Sequence, residues 1–279
     1  MNEESLMRSR IRKILMICSN YDAFALEEDG RIENQVKNEY RELNLSNPPK
    51  FIWANSSAQA RDIIGSEEDI DMIICMYNEQ DKEIFPFASR LKDEGRGIPF
   101  ILLIHYSKAV RQRVLESPHP GVDFVFSWHG NADLILAIVK LLEDAANAEN
   151  DVFEVGVKGI LLVEDSIRYY SNYLPELYKI VLTQSREFLT ESLNDDQKKY
   201  RKRSRPKIFL ATCLEEAIAY FEKYRRNLLG VISDVGMVFH KGDDPKTEKL
   251  DAGIDLVRII REYDPLMPVL LQSSQGSLA

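Results

Sequence analysis

Short apolar runs alternate with longer amphipathic stretches along this chain, and the alternation starts a second time near its middle. In the first half the runs are KILMIC (13–18), FIWA (51–54), DMIICM (71–76), FILLIH (100–105) and DFVF (123–126). Each holds four to six residues, too short for a globular helix, with apolar residues on consecutive positions. Strands buried on both faces read this way. Helix-like stretches lie near 23–43, 56–65, 83–95, 107–116 and 131–148. Five strands alternating with five helices predict a doubly wound parallel α/β sheet.

The segment AANAENDVFEVGV (145–157) reads as a helix end and linker, after which GILLVED (159–165) aligns with KILMICS (13–19) without a gap. KIFLAT (207–212), LLGVISD (228–234) and PVLLQS (268–273) follow as strands. Stretches 166–193, 214–226 and 251–263 carry helical patterns between them, with Asp251 placed to cap the last. One unit is thus used twice: residues 11–148, a linker at 149–158, and residues 159–279. The second copy stops after its fourth strand. Too few residues follow for a fifth strand and helix, so the chain is expected to be an N-terminal portion of a longer protein.

A net charge of -9 disfavours general nucleic-acid binding. The basic run KKYRKRSRPK (198–207) has no aromatic stacking pattern and reads as a solvated helix end and loop. Cys18, Cys75 and Cys213 are odd in number and widely spaced, so neither a disulfide framework nor a zinc site follows; buried free thiols are expected. His105 and His129 read as ordinary polar residues. No apolar stretch approaches the roughly 18 residues of a membrane span, and the N-terminus lacks a signal-peptide core, so a cytoplasmic protein is expected.

In doubly wound sheets ligands sit at the carboxyl ends of the strands. Glu164 and Asp165 close the first strand of the second unit, Asp234 its third and Ser273 its fourth. Three gathered carboxylates repel one another and call for a hard divalent cation, Mg²⁺. Such a site lets an aspartate accept a phosphoryl group whose charge the metal offsets. Taken singly, each acid could instead cap a helix; Asp165 or Ser166 could do so for the stretch that follows.

ILLVEDS, VISDVGM and PVLLQSS resemble, in order, the first, third and fourth strands of two-component response-regulator receiver domains. The resemblance covers about 159–279 and implies a flavodoxin-like fold. It implies that Asp234 is the phosphoacceptor, that Glu164, Asp165, Asp234 and the backbone carbonyl of Gly236 hold Mg²⁺, and that the Ser273 hydroxyl contacts the phosphoryl group. A sensor histidine kinase or phosphotransfer protein would be the donor, and a C-terminal output module the reader. The chain would then be a phosphoacceptor, not an enzyme with its own substrate; a homodimer is compatible with it. Receivers carry a lysine on a fifth strand, which has no counterpart here. The long stretch 166–193, with Pro175 inside, and the segment after it resemble receivers attached to phosphoenolpyruvate synthase or pyruvate phosphate dikinase-like proteins. The loop 235–250, with HKGDDPKTEK, is also long.

The same alignment makes the first unit a degenerate receiver. Cys18 and Ser19 stand at the acid pair, Met76 at the acceptor, Ile104 at the hydroxyl and Trp128 at the lysine. None suits Mg²⁺ or phosphoryl chemistry. Asp22 remains as a lone acid and reads as a helix cap. The rival function is a receiver-like interaction scaffold that is never phosphorylated. A Mg²⁺-dependent phosphatase is disfavoured, because Gly236 stands where a second aspartate would be needed.

Overall fold

The computed structural model describes residues 6–19, 32–43, 45, 47–66, 69–105, 110, 114, 120–190, 204–244 and 247–273. Asp22, most of the 107–116 stretch, the start of the basic run and the residues after Ser273 lie outside them. The chain divides into two compact units, Arg10–Ala137 and Met1–Ser9 with Ile138–Ala279.

In the first unit, β1 (Lys13–Ile17), β2 (Lys50–Ala54), β3 (Met72–Met76), β4 (Phe100–His105) and β5 (Phe124–Trp128) form one parallel sheet in the order β2-β1-β3-β4-β5. Parallel crossovers need intervening helices. These include α1 (Ile32–Glu42), α2 (Ser57–Ser66) and α3 (Ile84–Asp93), and α4 (Ala132–Glu149) follows β5. Burial explains the apolar runs: every residue of β3 is buried, while the edge strand β2 is only partly covered, with Lys50 and Trp53 exposed. β5 starts and ends later than the DFVF run. Asp123, just before the strand, accepts the Phe100 N–H with its carboxylate at 2.7 Å and pairs with Lys92 at 2.7 Å. Ser127 and Trp128 extend the strand and are buried.

In the second unit, β6 (Gly159–Val163), β7 (Lys207–Ala211), β8 (Leu228–Asp234) and β9 (Val269–Gln272) form a parallel sheet in the order β7-β6-β8-β9. Both sheets thus share the 2-1-3-4 strand order of flavodoxin-like folds. Helices α5 (Ile167–Thr190), α6 (Leu214–Tyr224) and α7 (Ala252–Tyr263) complete the seven α-helices among the described residues. A core of Leu161, Val163, Phe209, Phe221, Val231, Leu256 and Ile260 lies under α6 and α7. α5 runs unbroken through Pro175, whose ring removes the N–H that would reach the Ser171 carbonyl. One turn earlier, Ser171 Oγ and Asn172 Nδ2 donate to the carbonyls of Ile167 and Arg168 at 2.5 and 2.9 Å.

Within the expected linker, residues 150–154 form a π-turn that buries Asp151 and Val152. Two local expectations are corrected. Arg205 and Lys207, at the end of the basic run, are buried at 3% and 0% exposure, so that end is not solvated. Asp251 stands at the N-cap of α7 but makes no side-chain cap bond; Lys249 Nζ lies 3.8 Å from its carboxylate instead.

Candidate functional site

The carboxyl ends of β6 and β8 carry the acids. Glu164 and Asp165 directly follow β6, and Asp234 is the last residue of β8. Strand register levels Val163 with Ser233 and Asp234 with Gln272. One oxygen from each of Glu164, Asp165 and Asp234 can be chosen so that all lie within 4.8 Å of one another. Among the described residues this is the one group of three His, Cys, Asp or Glu side chains so gathered, and His105 and His129 join none.

Each carboxylate is fixed by a different element. Glu164 is buried; its Oε1 accepts the Ser166 N–H at 3.0 Å and its Oε2 the Gln272 Nε2 at 3.3 Å. Asp165 Oδ2 accepts the Val238 N–H at 3.2 Å, from the loop after β8. That bond ties Asp165 to the mouth of the sheet. Asp234 Oδ1 accepts the Val235 N–H at 2.7 Å, and the Gly236 N–H also favours its ionised form.

Burial raises all three carboxyls above their ordinary range, and neighbouring negative charges add to the rise at Glu164 and Asp165. Burial, with the charges of Asp234 and Asp165 added, pushes Glu164 up to about 8 against the Ser166 bond. Burial, then Glu248 and Asp234, raises Asp165 to about 6 while the Val238 N–H opposes. Asp234 is raised by burial, with the Val235 and Gly236 N–H groups opposing. The donor set is entirely hard oxygen, with its negative charges crowded in a half-buried mouth. That chemistry fits a divalent cation such as Mg²⁺, which Glu164, Asp165 and Asp234 could hold.

Ser273 is exposed and stands one residue beyond the Asp234–Gln272 register pair. Three contributors escape the sequence reading. Gln272 bonds Glu164, and the polar letter closing an apolar strand was its signal. Glu248 approaches Gly236 so closely that a Cβ there would lie 2.2 Å from its Oε1. The Tyr173 hydroxyl is pushed up by burial first and then by the charges of Glu164 and Asp234. Its ring stacks on Tyr169 at 6.0 Å. No local sequence signal brings Glu248 or Tyr173 to this mouth.

The first unit shows what the same places hold there. Register levels Ile17 with Cys75, as Val163 with Ser233, which makes Met76 the positional counterpart of Asp234. Cys18 and Ser19 follow β1 as Glu164 and Asp165 follow β6. Met76 is level with Leu103, so Ile104 matches Ser273, and Trp128 pairs with His105. Cys18, Met76, Ile104 and Trp128 are buried. All three cysteines are free and buried, and burial pushes the Cys75 thiol far up. Among the described residues no helix is long and apolar enough to cross a membrane.

No family model matches the chain, and no curated protein matches it. Among solved structures, the chain is similar to a protein described as a two-component system response regulator/GGDEF domain protein. The identity is 17%, over 95% of this chain and 84% of that one, with a TM-score of 0.36. It is also similar to GanP, a glucose-galactose binding protein from Geobacillus stearothermophilus. There the identity is 12%, over 95% of this chain and 78% of that one, with a TM-score of 0.25.

Proposed function

We propose that the second unit is a receiver-type phosphorylation switch in which Asp234 accepts a phosphoryl group. The observation that carries this reading is the gathering of Glu164, Asp165 and Asp234 oxygens within 4.8 Å at the carboxyl end of a parallel sheet. A bound Mg²⁺ would offset the charge of the acids and of the transferring group. The Val235 and Gly236 N–H groups orient the Asp234 carboxylate. A carboxylate oxygen attacks phosphorus, the P–N bond to a donor imidazole breaks, and that nitrogen keeps the electron pair and takes a proton. The donor is a phosphohistidine on a sensor kinase or phosphotransfer protein. The resulting acyl phosphate shifts a conformational equilibrium that an output module reads. In this role the chain turns over no substrate of its own.

For the first unit a different reading is favoured. Cys18, Ser19, Met76, Ile104 and Trp128 occupy the corresponding places, so we infer a receiver-like module used for contacts.

The test is mass spectrometry after incubation with acetyl phosphate and MgCl₂. A single phosphoryl adduct on the peptide containing Asp234 is expected. It should be released by hydroxylamine and be absent without MgCl₂ or in Asp234→Asn. Failure to form the adduct in the full chain overturns the reading.

A further inference from the structure

Gly236 lies outside the left-handed backbone region; the Glu248 side chain occupies the space beside it, its Oε1 2.2 Å from where a Cβ would lie. The approach is built by backbone pairing. Met237 and Lys249 form an antiparallel bridge, Met237 N–H to Lys249 O at 3.2 Å and Lys249 N–H to Met237 O at 3.0 Å. Lys249 also pairs with Asp255 in the first turn of α7. From the other side, the Gly253 N–H donates to the Val235 carbonyl at 2.8 Å. A Cβ on Gly253 would lie 2.2 Å from the Asp234 carbonyl oxygen. The backbone around Asp234 is therefore held by two neighbours, the Glu248–Lys249 segment and the start of α7.

We propose that Glu248 reads the charge state of Asp234: a phosphoryl group there expels Glu248 from Gly236 and opens the Met237–Lys249 bridge. This rests on the phosphoacceptor reading. Glu248 and Asp234 both act through their charges on Asp165, which places them around one mouth. Phosphorylation replaces the single charge of the carboxylate with about -2, so that mouth gains roughly one negative charge. Glu248 is exposed, so leaving costs it little hydration, whereas the buried Glu164 is held by Ser166 and Gln272. The carboxylate free to move is the one whose neighbour, Lys249, carries the bridge and the link to α7.

The experiment follows amide exchange at Met237 and Lys249 by NMR in the full chain, before and after acetyl phosphate and MgCl₂, with the adduct measured in parallel. Both amides should exchange at least about tenfold faster once the adduct has formed. Glu248→Gln should take the adduct yet change by less than about twofold, because the repelled charge is gone. An adduct on Asp234 with unchanged exchange, or equal opening in Glu248→Gln, overturns the role of Glu248 and leaves the phosphoacceptor reading standing. Absence of any adduct removes both.

Discussion

Arg205 grips Asp144 with both terminal nitrogens, Nη2 to Oδ1 at 2.7 Å and Nη1 to Oδ2 at 2.9 Å, and both side chains are buried. The same carboxylate accepts the Tyr178 hydroxyl at 2.9 Å and the Ile208 N–H at 3.0 Å. Ile208 lies on β7, an edge strand, so Asp144 closes part of an open ladder from the side. Lys207 Nζ stands 3.6 Å from Asp144 and 2.6 Å from Asp151, whose other oxygen accepts the Met7 N–H at 3.2 Å. Lys140 and Glu143 pair nearby at 2.7 Å. Three buried cations, Lys140, Arg205 and Lys207, thus accompany three buried anions, Glu143, Asp144 and Asp151, and their formal charges cancel.

Removing one partner leaves the others buried and uncompensated. Asp144→Ala is expected to destabilise the second unit by about 3–5 kcal/mol. The readout is hydrogen exchange of β6 and β7 amides in mild urea. Burial alone would raise the Asp144 carboxyl, but Arg205 and Lys207, with the Arg205 and Ile208 bonds, outweigh it and hold the group below the ordinary range. A depressed carboxyl contributes stability above its unfolded pKa and loses it as pH falls through the folded one. The contribution of Asp144 should therefore persist at neutral pH and fade only in strong acid.

This network shows where sequence reading stops. The strands β1, β3, β4 and β6 announce themselves, because a strand covered on both faces must be apolar at successive positions. The acids at 164, 165 and 234 were legible because strand ends in such a sheet converge. Lys207 and Arg205 carry the same letters as a solvated basic run, and Asp151 those of a linker. Their burial depends on partners far apart in the chain, such as Asp144, 61 residues from Arg205, and Met7, 144 residues from Asp151. Gln272 and Glu248 were missed for a related reason: a side chain's reach across a sheet mouth leaves no periodic trace.

The crowded acids give the metal-free protein a pH dependence of opposite sign. Glu164 titrates near 8 and Asp165 near 6 in the folded chain, above their ordinary values of 4.5 and 3.8. Between those limits the native state binds more protons than the unfolded one, so stability falls as pH rises. In calorimetry without divalent cations, the second unit should melt at a lower temperature at pH 8 than at pH 5.5. Glu164→Gln should flatten that slope. MgCl₂ should raise the melting temperature more at pH 8 than at pH 5.5, since cation and protons compete for the same oxygens.

Two glycines separate packing from propensity. A Cβ on Gly253 would meet the Asp234 carbonyl oxygen at 2.2 Å and the Val235 Cα at 3.0 Å, both backbone atoms that cannot swing aside. Gly253→Ala should cost about 1–3 kcal/mol and slow phosphorylation of Asp234, because its backbone must shift. Gly65, in α2, has nothing within 4 Å of its Cβ position. Gly65→Ala should be neutral or stabilise the first unit by up to about 1 kcal/mol, through helix propensity. Urea melts of the two variants distinguish the outcomes.

Met76→Asp asks whether position alone makes an acceptor. Register places residue 76 where Asp234 stands, but Cys18 and Ser19 occupy the places of Glu164 and Asp165. The new carboxylate would replace a side chain that is 3% exposed and would lack the acid pair needed to share a cation. Its burial without a charged partner should destabilise the first unit by about 3 kcal/mol or more. Both tryptophans of the chain, Trp53 and Trp128, lie in that unit, so tryptophan fluorescence in urea follows its unfolding selectively. Acetyl phosphate with MgCl₂ should add no phosphoryl group at residue 76. An adduct there would show that the neutral first-unit residues are not what silences this place, and an undiminished urea midpoint would show that the place tolerates a lone carboxylate.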